Sequence, residues 1–277
     1  MAEVGGRNVL VIIGAGGMGL FIARRLGSGR TVFLADYSQA MLEKAEQTLR
    51  SEGHTVSTIS MDVSSYDAVQ KTAQASAALG AIDAIVHTAG VAPGASNSRQ
   101  IYTIDLLGTA NVIDAFLPVI SSGTSLVCIA SMAGSMIPIS LELEKHLATA
   151  PRNQLLQHKD IVLSEEIEAA GVAYAVAKRG NQLRVQAAAV PYGKKGARVN
   201  SVSPGVISTA LAQAQLDTPA GENMRAMIAM SAVKRIGTPD DIANAVAFLA
   251  SRESSLISGI DLLVDGGAVA GRKWPEA

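Results

Sequence analysis

Residues 8–36 constrain the fold more than any other part of the chain. Asn8 to Ile13 (NVLVII) is a short β-branched apolar run that stops at glycine. A strand that is apolar on both faces belongs inside a parallel sheet covered by helices. Gly14 to Gly19 follows, then Leu20 to Leu26 with apolar residues at helical spacing, then a second strand from Thr31 to Ala35. Strand, glycine turn, helix and strand within about 30 residues make a βαβ unit. Gly14-Ala15-Gly16-Gly17-Met18-Gly19 fits G-x-G-x-x-G in the strand-to-helix setting that gives the pattern its meaning. Glycines let such a turn close and let a pyrophosphate reach backbone N–H groups at the positive end of a helix. A tight turn without ligand is the competing reading.

Asp36 ends the second strand, 17 residues after Gly19. A carboxylate there accepts hydrogen bonds from the adenosine ribose hydroxyls and repels a 2′-phosphate. The next residues, Tyr37-Ser38-Gln39, offer no arginine to receive such a phosphate, so NAD is expected rather than NADP. Asp36 as a helix cap is the alternative. Asp62, after the third strand, has two readings: a contact to the adenine edge, or a cap for the helix that starts at Tyr66.

The alternation continues along the chain. Further strands are predicted over 55–60, 82–86, 125–130, 197–202 and 260–264, with helices over 39–52, 66–79, 100–120, 172–190 and 240–249. Seven strands interleaved with helices predict an α/β chain: a Rossmann-type, doubly wound, seven-stranded parallel sheet in a single domain spanning 1–277. The 45 alanines and 26 glycines suit helices lying close on a sheet. Two stretches interrupt the pattern. Residues 140–170 read as a helical insertion, two short helices around Pro151. Residues 207–236 carry Met224, Met227 and Met230 at i, i+3, i+6, either an ordinary helix face or an adaptable substrate lid.

Charge narrows the partners. With 23 basic and 24 acidic residues the net charge is −1, which argues against nucleic acid and against a polybasic membrane anchor. No apolar run reaches the roughly 18 residues of a membrane span, and Met1 to Arg7 lacks a signal-peptide pattern, so a cytoplasmic protein is expected. The lone cysteine, Cys128, has no internal disulfide partner, and no grouping has metal-site spacing.

Tyr174-Ala175-Val176-Ala177-Lys178 puts a phenol and an ammonium at i, i+4 on one helix face. An ammonium beside a phenol favours the phenolate, which suits a group that takes a proton from an alcohol. The pair is common in isolation. Its value here lies in following a strand that ends at Ser131, whose hydroxyl falls at the carboxyl end of the sheet, where open α/β folds bind ligands.

Taken in order, these motifs resemble the short-chain dehydrogenase/reductase family over about residues 8–267. The resemblance rests on the glycine loop, Asp36, Asp62-Val63, Ala89-Gly90, Ser131, Tyr174 and Lys178, Arg198-Val199-Asn200, Pro204-Gly205 and Asp265-Gly266-Gly267. It implies Tyr174 as acid/base, Lys178 on the nicotinamide ribose and Ser131 on the substrate oxygen. It implies a cofactor site at Gly14, Gly16, Gly17, Met18, Gly19, Asp36, Tyr37, Asp62, Val63, Ala89, Gly90, Tyr174, Lys178, Pro204, Gly205, Ile207 and Thr209, with Thr209 on the carboxamide. It also implies a homo-oligomer, dimer or tetramer.

Four departures stand out. The glycine loop is one residue short of the family's usual Thr-Gly-x-x-x-Gly-x-Gly, and Ile13 replaces the threonine. His87-Thr88 stands where Asn-Asn is common, and His87 reads as structural. Asp105 occupies the position of an asparagine that helps a water connect the lysine to solvent; it is either part of that relay or a plain helix-face residue. Finally, 43 positions separate Ser131 from Tyr174 where about a dozen are usual. The excess resembles an insertion in bacterial relatives of the 3α-hydroxysteroid dehydrogenase kind, and is expected to form a wall over the substrate pocket or a subunit contact. The resulting expectation is an NAD(H)-dependent enzyme that interconverts a secondary alcohol and a ketone on an apolar small molecule. The rivals are an NAD-retaining epimerase or dehydratase, and a non-catalytic NAD-binding sensor.

Overall fold

A computed structural model describes residues 8–167, 170–209, 212, 213, 216 and 221–275. Seven strands form one parallel sheet: β1 Val9–Ile13, β2 Thr31–Asp36, β3 Thr55–Ser60, β4 Ile82–His87, β5 Ser125–Ile129, β6 Arg198–Pro204 and β7 Asp261–Val264. Their order is β3-β2-β1-β4-β5-β6-β7. The direction of winding reverses between β1 and β4, and that crevice, at the carboxyl ends of the strands, is where such sheets take ligands.

The central strands β1, β4 and β5 are largely apolar because both faces are covered. Val9, Val11 and Ile13 of β1 enter one core with Val69 and Ala73 of α3 (Tyr66–Ala78) and Val185 and Tyr192 of α7 (Ala170–Gly193). Leu10 and Ile12 face the other way, onto Ile22 of α1 (Gly17–Leu26), Leu42 and Leu49 of α2 (Gln39–Ser51) and Ile242 and Val246 of α9 (Pro239–Ala250). Alternate residues of one strand thus serve two cores, the arrangement a period of two dictates.

The helix predicted over 100–120 is not continuous. It consists of α4 (Ser98–Ile101), a π-helical turn (Tyr102–Leu107) and α5 (Gly108–Phe116), and ends before Pro118. Thr109 Oγ1 donates to the Asp105 carbonyl at 2.7 Å, pairing an oxygen inside the widened turn. Gly108 sits where a Cβ would come 2.9 Å from Val63 Cγ1, so the helix can press against the segment after β3 only at glycine.

In the 140–170 stretch, α6 (Leu141–Thr149) and a 3₁₀ turn (Arg152–Gln157) flank Pro151. Leu143, Leu147, Leu155 and Ile161 are buried against Ala173, Val176, Ala177 and Leu183 of α7. Their apolar spacing answers to that helix. The Met row lies on α8 (Gly221–Met230), and α10 (Ala268–Lys273) closes the described chain. Residues 210, 211, 214, 215 and 217–220 of the predicted lid, and the N-terminal stretch 1–7, lie outside the described residues.

Candidate active site

Helix α1 opens at Gly17, inside the glycine loop and three residues before the predicted start. Gly14 has φ +101°, and a Cβ there would come 2.5 Å from Thr88 Oγ1 and 2.6 Å from Ala89 N. Only glycine tolerates both conditions. Thr88 Oγ1 donates to the Gly14 carbonyl at 2.9 Å, so the threonine that replaces an expected asparagine braces the loop. The N-cap of α1 is Gly16, with no side-chain capping bond and no acid in the first turn. A helix start left bare of side-chain acceptors fits a phosphate group.

Asp36 does not cap α2; Ser38 does, through Met41 N. The Asp36 carboxylate instead accepts from Ala15 N (Oδ2, 2.7 Å) and Ser38 N (Oδ1, 2.8 Å), which ties the end of β2 to the glycine loop. Each oxygen keeps a second lone pair for a sugar hydroxyl. Asp62 is not a cap either. Its Oδ1 accepts from Ser64 N and Ser64 Oγ, and Ser65 caps α3. The Val63 side chain is buried in the core, and Tyr37 is 77% exposed.

Ser131 follows β5 and heads a 3₁₀ turn (Met132–Ser135), its Oγ accepting from Ala133 N at 3.2 Å. The turn lies directly on α7: a Cβ on Gly134 would come 2.7 Å from Arg179 N and 2.8 Å from the Lys178 carbonyl carbon. That close approach fixes Ser131 relative to Tyr174 and Lys178. The Lys178 ammonium lies 5.3 Å from the Tyr174 ring centroid and 3.0 Å from Asp105 Oδ2. Asp105 is fully buried, and its other oxygen accepts from Val91 N at 2.8 Å. Asp105 therefore faces Lys178 and is no plain helix-face residue.

Burial dominates the electrostatics of this pair. It raises the Asp105 carboxyl above its ordinary value, against the opposing pull of Lys178 and the Val91 N–H. Burial alone would lower Lys178; the Asp105 charge, helped by Tyr174, outweighs it and holds the ammonium above its ordinary value. His87 is buried, with Nε2 3.1 Å from Thr109 Oγ1. Burial first, then the Lys178 charge, pushes it down to about 3, so it stands neutral as a structural residue. Burial pushes the Cys128 thiol up to about 12, which leaves it without thiolate character.

A cavity of about 940 Å³ opens at the carboxyl end of the sheet. Of the residues singled out in the sequence, Met18, Ser131, Tyr174, Pro204, Gly205, Ile207 and Thr209 share its wall. Thr209 also reaches the glycine loop, its Cγ2 lying 3.4 Å from where a Cβ on Gly17 would stand. Lys178, Asp105 and Gly90 lie off this wall; a Cβ on Gly90 would meet Asp105 Oδ1 at 3.2 Å and Lys178 Nζ at 3.3 Å. Met224, Met227 and Met230 line the cavity. None of the described residues of 140–170 does, so no wall of this cavity comes from them; Leu143, Leu147 and Leu155 pack with α7 instead.

Two groups escaped the motifs. Gln182 is buried one helical turn beyond Lys178, its Nε2 within 3.3 Å of the Ser131 carbonyl, Ser203 Oγ and Asp261 Oδ2. Its i, i+4 spacing from Lys178 was the available signal. Met136, Val172 and Arg272 on the cavity wall carried none.

The chain matches the short chain dehydrogenase family over residues 7–141 and the family described as enoyl-(acyl carrier protein) reductase over residues 158–269. A short-chain dehydrogenase/reductase of Alternaria brassicicola, bsc3, is 36% identical over 266 residues, which is 95% of this chain and 96% of that one. This chain belongs to the short-chain dehydrogenase/reductase family. As a member, it is an oxidoreductase of a family that typically binds a nicotinamide cofactor. The chain is also similar to the cis-4-hydroxycyclohexanecarboxylate dehydrogenase of Sinomonas cyclohexanicum, 30% identical over 98% of this chain and 100% of that one. Among solved structures, gox2181 superposes with a TM-score of 0.76 at 27% identity, covering 95% of this chain and 96% of that one.

Proposed function

We propose that the protein is an NAD(H)-dependent oxidoreductase that interconverts a secondary alcohol and a ketone on an apolar small molecule. The observation that carries this is the shared cavity: Ser131 and Tyr174 stand on one wall with Pro204, Gly205 and Thr209, while Lys178 sits behind the phenol. When bound, NAD supplies the two-electron acceptor or donor for the exchange.

The chain's own residues do the rest. Backbone N–H groups of Gly16, Gly17, Met18 and Gly19 receive the pyrophosphate, next to the turn closed at Gly14. Asp36 binds the adenosine ribose beside Tyr37, with Asp62 and Val63 at the adenine edge and Ala89-Gly90 on the floor. Pro204, Gly205, Ile207 and Thr209 hold the nicotinamide end. Ser131 donates a hydrogen bond to the substrate oxygen. Tyr174 removes the hydroxyl proton during oxidation and returns it during reduction. Lys178, kept cationic by Asp105, supports the phenolate and the nicotinamide ribose. The negative Asp36 favours NAD over NADP.

Positioned acid–base groups contribute about 10²- to 10⁴-fold to rate, so Tyr174→Phe is expected to cost that much in turnover while NADH binding persists. Turnover that survives the substitution refutes the mechanism. Stoichiometric NADH release on oxidation separates this reading from an NAD-retaining epimerase.

A further inference from the structure

The cavity wall holds one charged side chain among the described residues, and it is not part of the proposed catalytic group. Arg272 lies on α10, beyond the last strand, and reaches the wall at Met136. Its one polar contact among the described residues is from Nη1 to Met136 Sδ at 3.3 Å, and it forms no ion pair among them. A guanidinium carries five N–H donors, and a thioether is a weak acceptor, so most of that donor capacity is unmet by protein. No aspartate or glutamate lines the cavity among the described residues.

The position is built by close packing. The Asp265 carboxylate accepts from Gly267 N at 2.8 Å and Val269 N at 2.7 Å, which fixes the turn into α10. Gly267 has φ +84°, and a Cβ on Gly271 would overlap the Met230 carbonyl, so α10 and α8 touch backbone to backbone. A Cβ on Gly205 would come 2.7 Å from Asp265 Cα, so the same turn abuts the segment assigned to the nicotinamide end. The helix that carries Arg272 is therefore anchored to the body of the site, while its guanidinium stands exposed at the cavity rim.

We infer that Arg272 binds a carboxylate on the substrate, so that the substrate class is an apolar secondary alcohol bearing one carboxylate. This rests on the dehydrogenase reading above. Apolar pockets take their specificity from a few placed polar groups, and a guanidinium matches a carboxylate with two parallel hydrogen bonds. A single cation suits a monoanion. A phosphate would call for more positive charge, and the neighbouring Lys273 lies over the Trp274 ring instead, 5.4 Å from its centroid.

The test is calorimetric titration of the NADH-saturated protein with cyclohexanecarboxylate and with its methyl ester. The acid is expected to bind at least about tenfold more tightly than the ester, the scale of one charge-assisted hydrogen bond. Arg272→Met should erase that preference and Arg272→Lys should keep part of it, with melting temperatures recorded to show that each variant folds. Equal affinity for acid and ester, no binding of either, or a preference that survives Arg272→Met overturns the inference. The dehydrogenase reading is judged separately, by oxidation of neutral secondary alcohols such as cyclohexanol and its loss in Tyr174→Phe. If that oxidation is seen without acid preference, only the Arg272 assignment fails.

Discussion

The buried pair between Asp105 and Lys178 can be tested through stability, without any substrate. Removing one partner of a buried ion pair costs about 3–5 kcal/mol, because the other charge is left uncompensated. Asp105→Asn keeps an oxygen for the Val91 N–H but removes the anion 3.0 Å from Lys178. Asp105→Ala also strands that N–H, which costs about 1–3 kcal/mol more. The pH dependence is the sharper observable. In the wild type the folded-state value of Lys178 is raised. Its contribution is then complete below the unfolded value of about 10.4 and is lost only as pH rises through the folded value. In Asp105→Asn the burial remains and its largest counterweight is gone, so the folded value is expected to fall below the unfolded one. The unfolded chain then binds more protons, and stability climbs as pH rises toward about 10.4, by up to about 1.4 kcal/mol per pH unit. Urea unfolding at fixed protein concentration, followed by circular dichroism from about pH 7.5 to about pH 10, measures both quantities. The reasoning is refuted if Asp105→Asn stays within about 1 kcal/mol of the wild type and shows no upward slope relative to it.

Three further expectations follow from other contacts. Asp36→Ala should lower kcat/KM for NAD by about 10- to 100-fold, the worth of a lost hydrogen bond to a charged group, and shift the NAD-to-NADP ratio toward NADP; an unchanged ratio in steady-state kinetics contradicts the assignment. His87, held down to about 3 from an ordinary 6.5, binds fewer protons folded than unfolded across that window, so its contribution to stability falls as pH drops from about 6.5 toward about 3. His87→Asn should flatten the acid side of the melting curve, and identical curves would show that the imidazole is not the group responsible. Gly134→Ala would drive a methyl into the α7 backbone at Arg179 and Lys178. Overpacking of this kind costs about 1–3 kcal/mol; a lowered Tm accompanied by a lowered kcat is expected, because the turn that carries Ser131 must move.

The parts of the fold that rest on local periodicity were readable in advance. Buried parallel strands announce themselves as β-branched runs, and all seven were found within a residue or two of their observed ends. Tyr174, Lys178 and Ser131 could be paired from chain order alone. What escaped depends on contacts between distant segments. The spacing of Leu143 and Leu147 shows that a face is covered but not by what, and α7 rather than the cavity covers it. A carboxylate that ends β2 can be a cap or a ligand residue; the bond from Ala15 N, 21 residues back, shows that it is not the cap. Arg272 sits past every motif, and nothing in its neighbours' identities points toward Met136.

The π-helical turn at Tyr102–Leu107 has a consequence for how this helix can be edited. Successive α-helical residues advance by about 100°, so one extra residue in a turn puts everything after it out of phase. Ile101, Tyr102, Leu106 and Ala110 face the core shared with the insertion, while Ile104, Val112, Ile113 and Phe116 face the core under the sheet. A single rod thus serves two cores, and Asp105 lies in the widened turn within it. Deleting one residue here would straighten the rod and swing one half by about 100°, mismatching a core or taking the carboxylate away from Lys178. The length of this segment is therefore as much a determinant of the site as the identity of its acid, and substitutions should be tolerated there more readily than insertions or deletions.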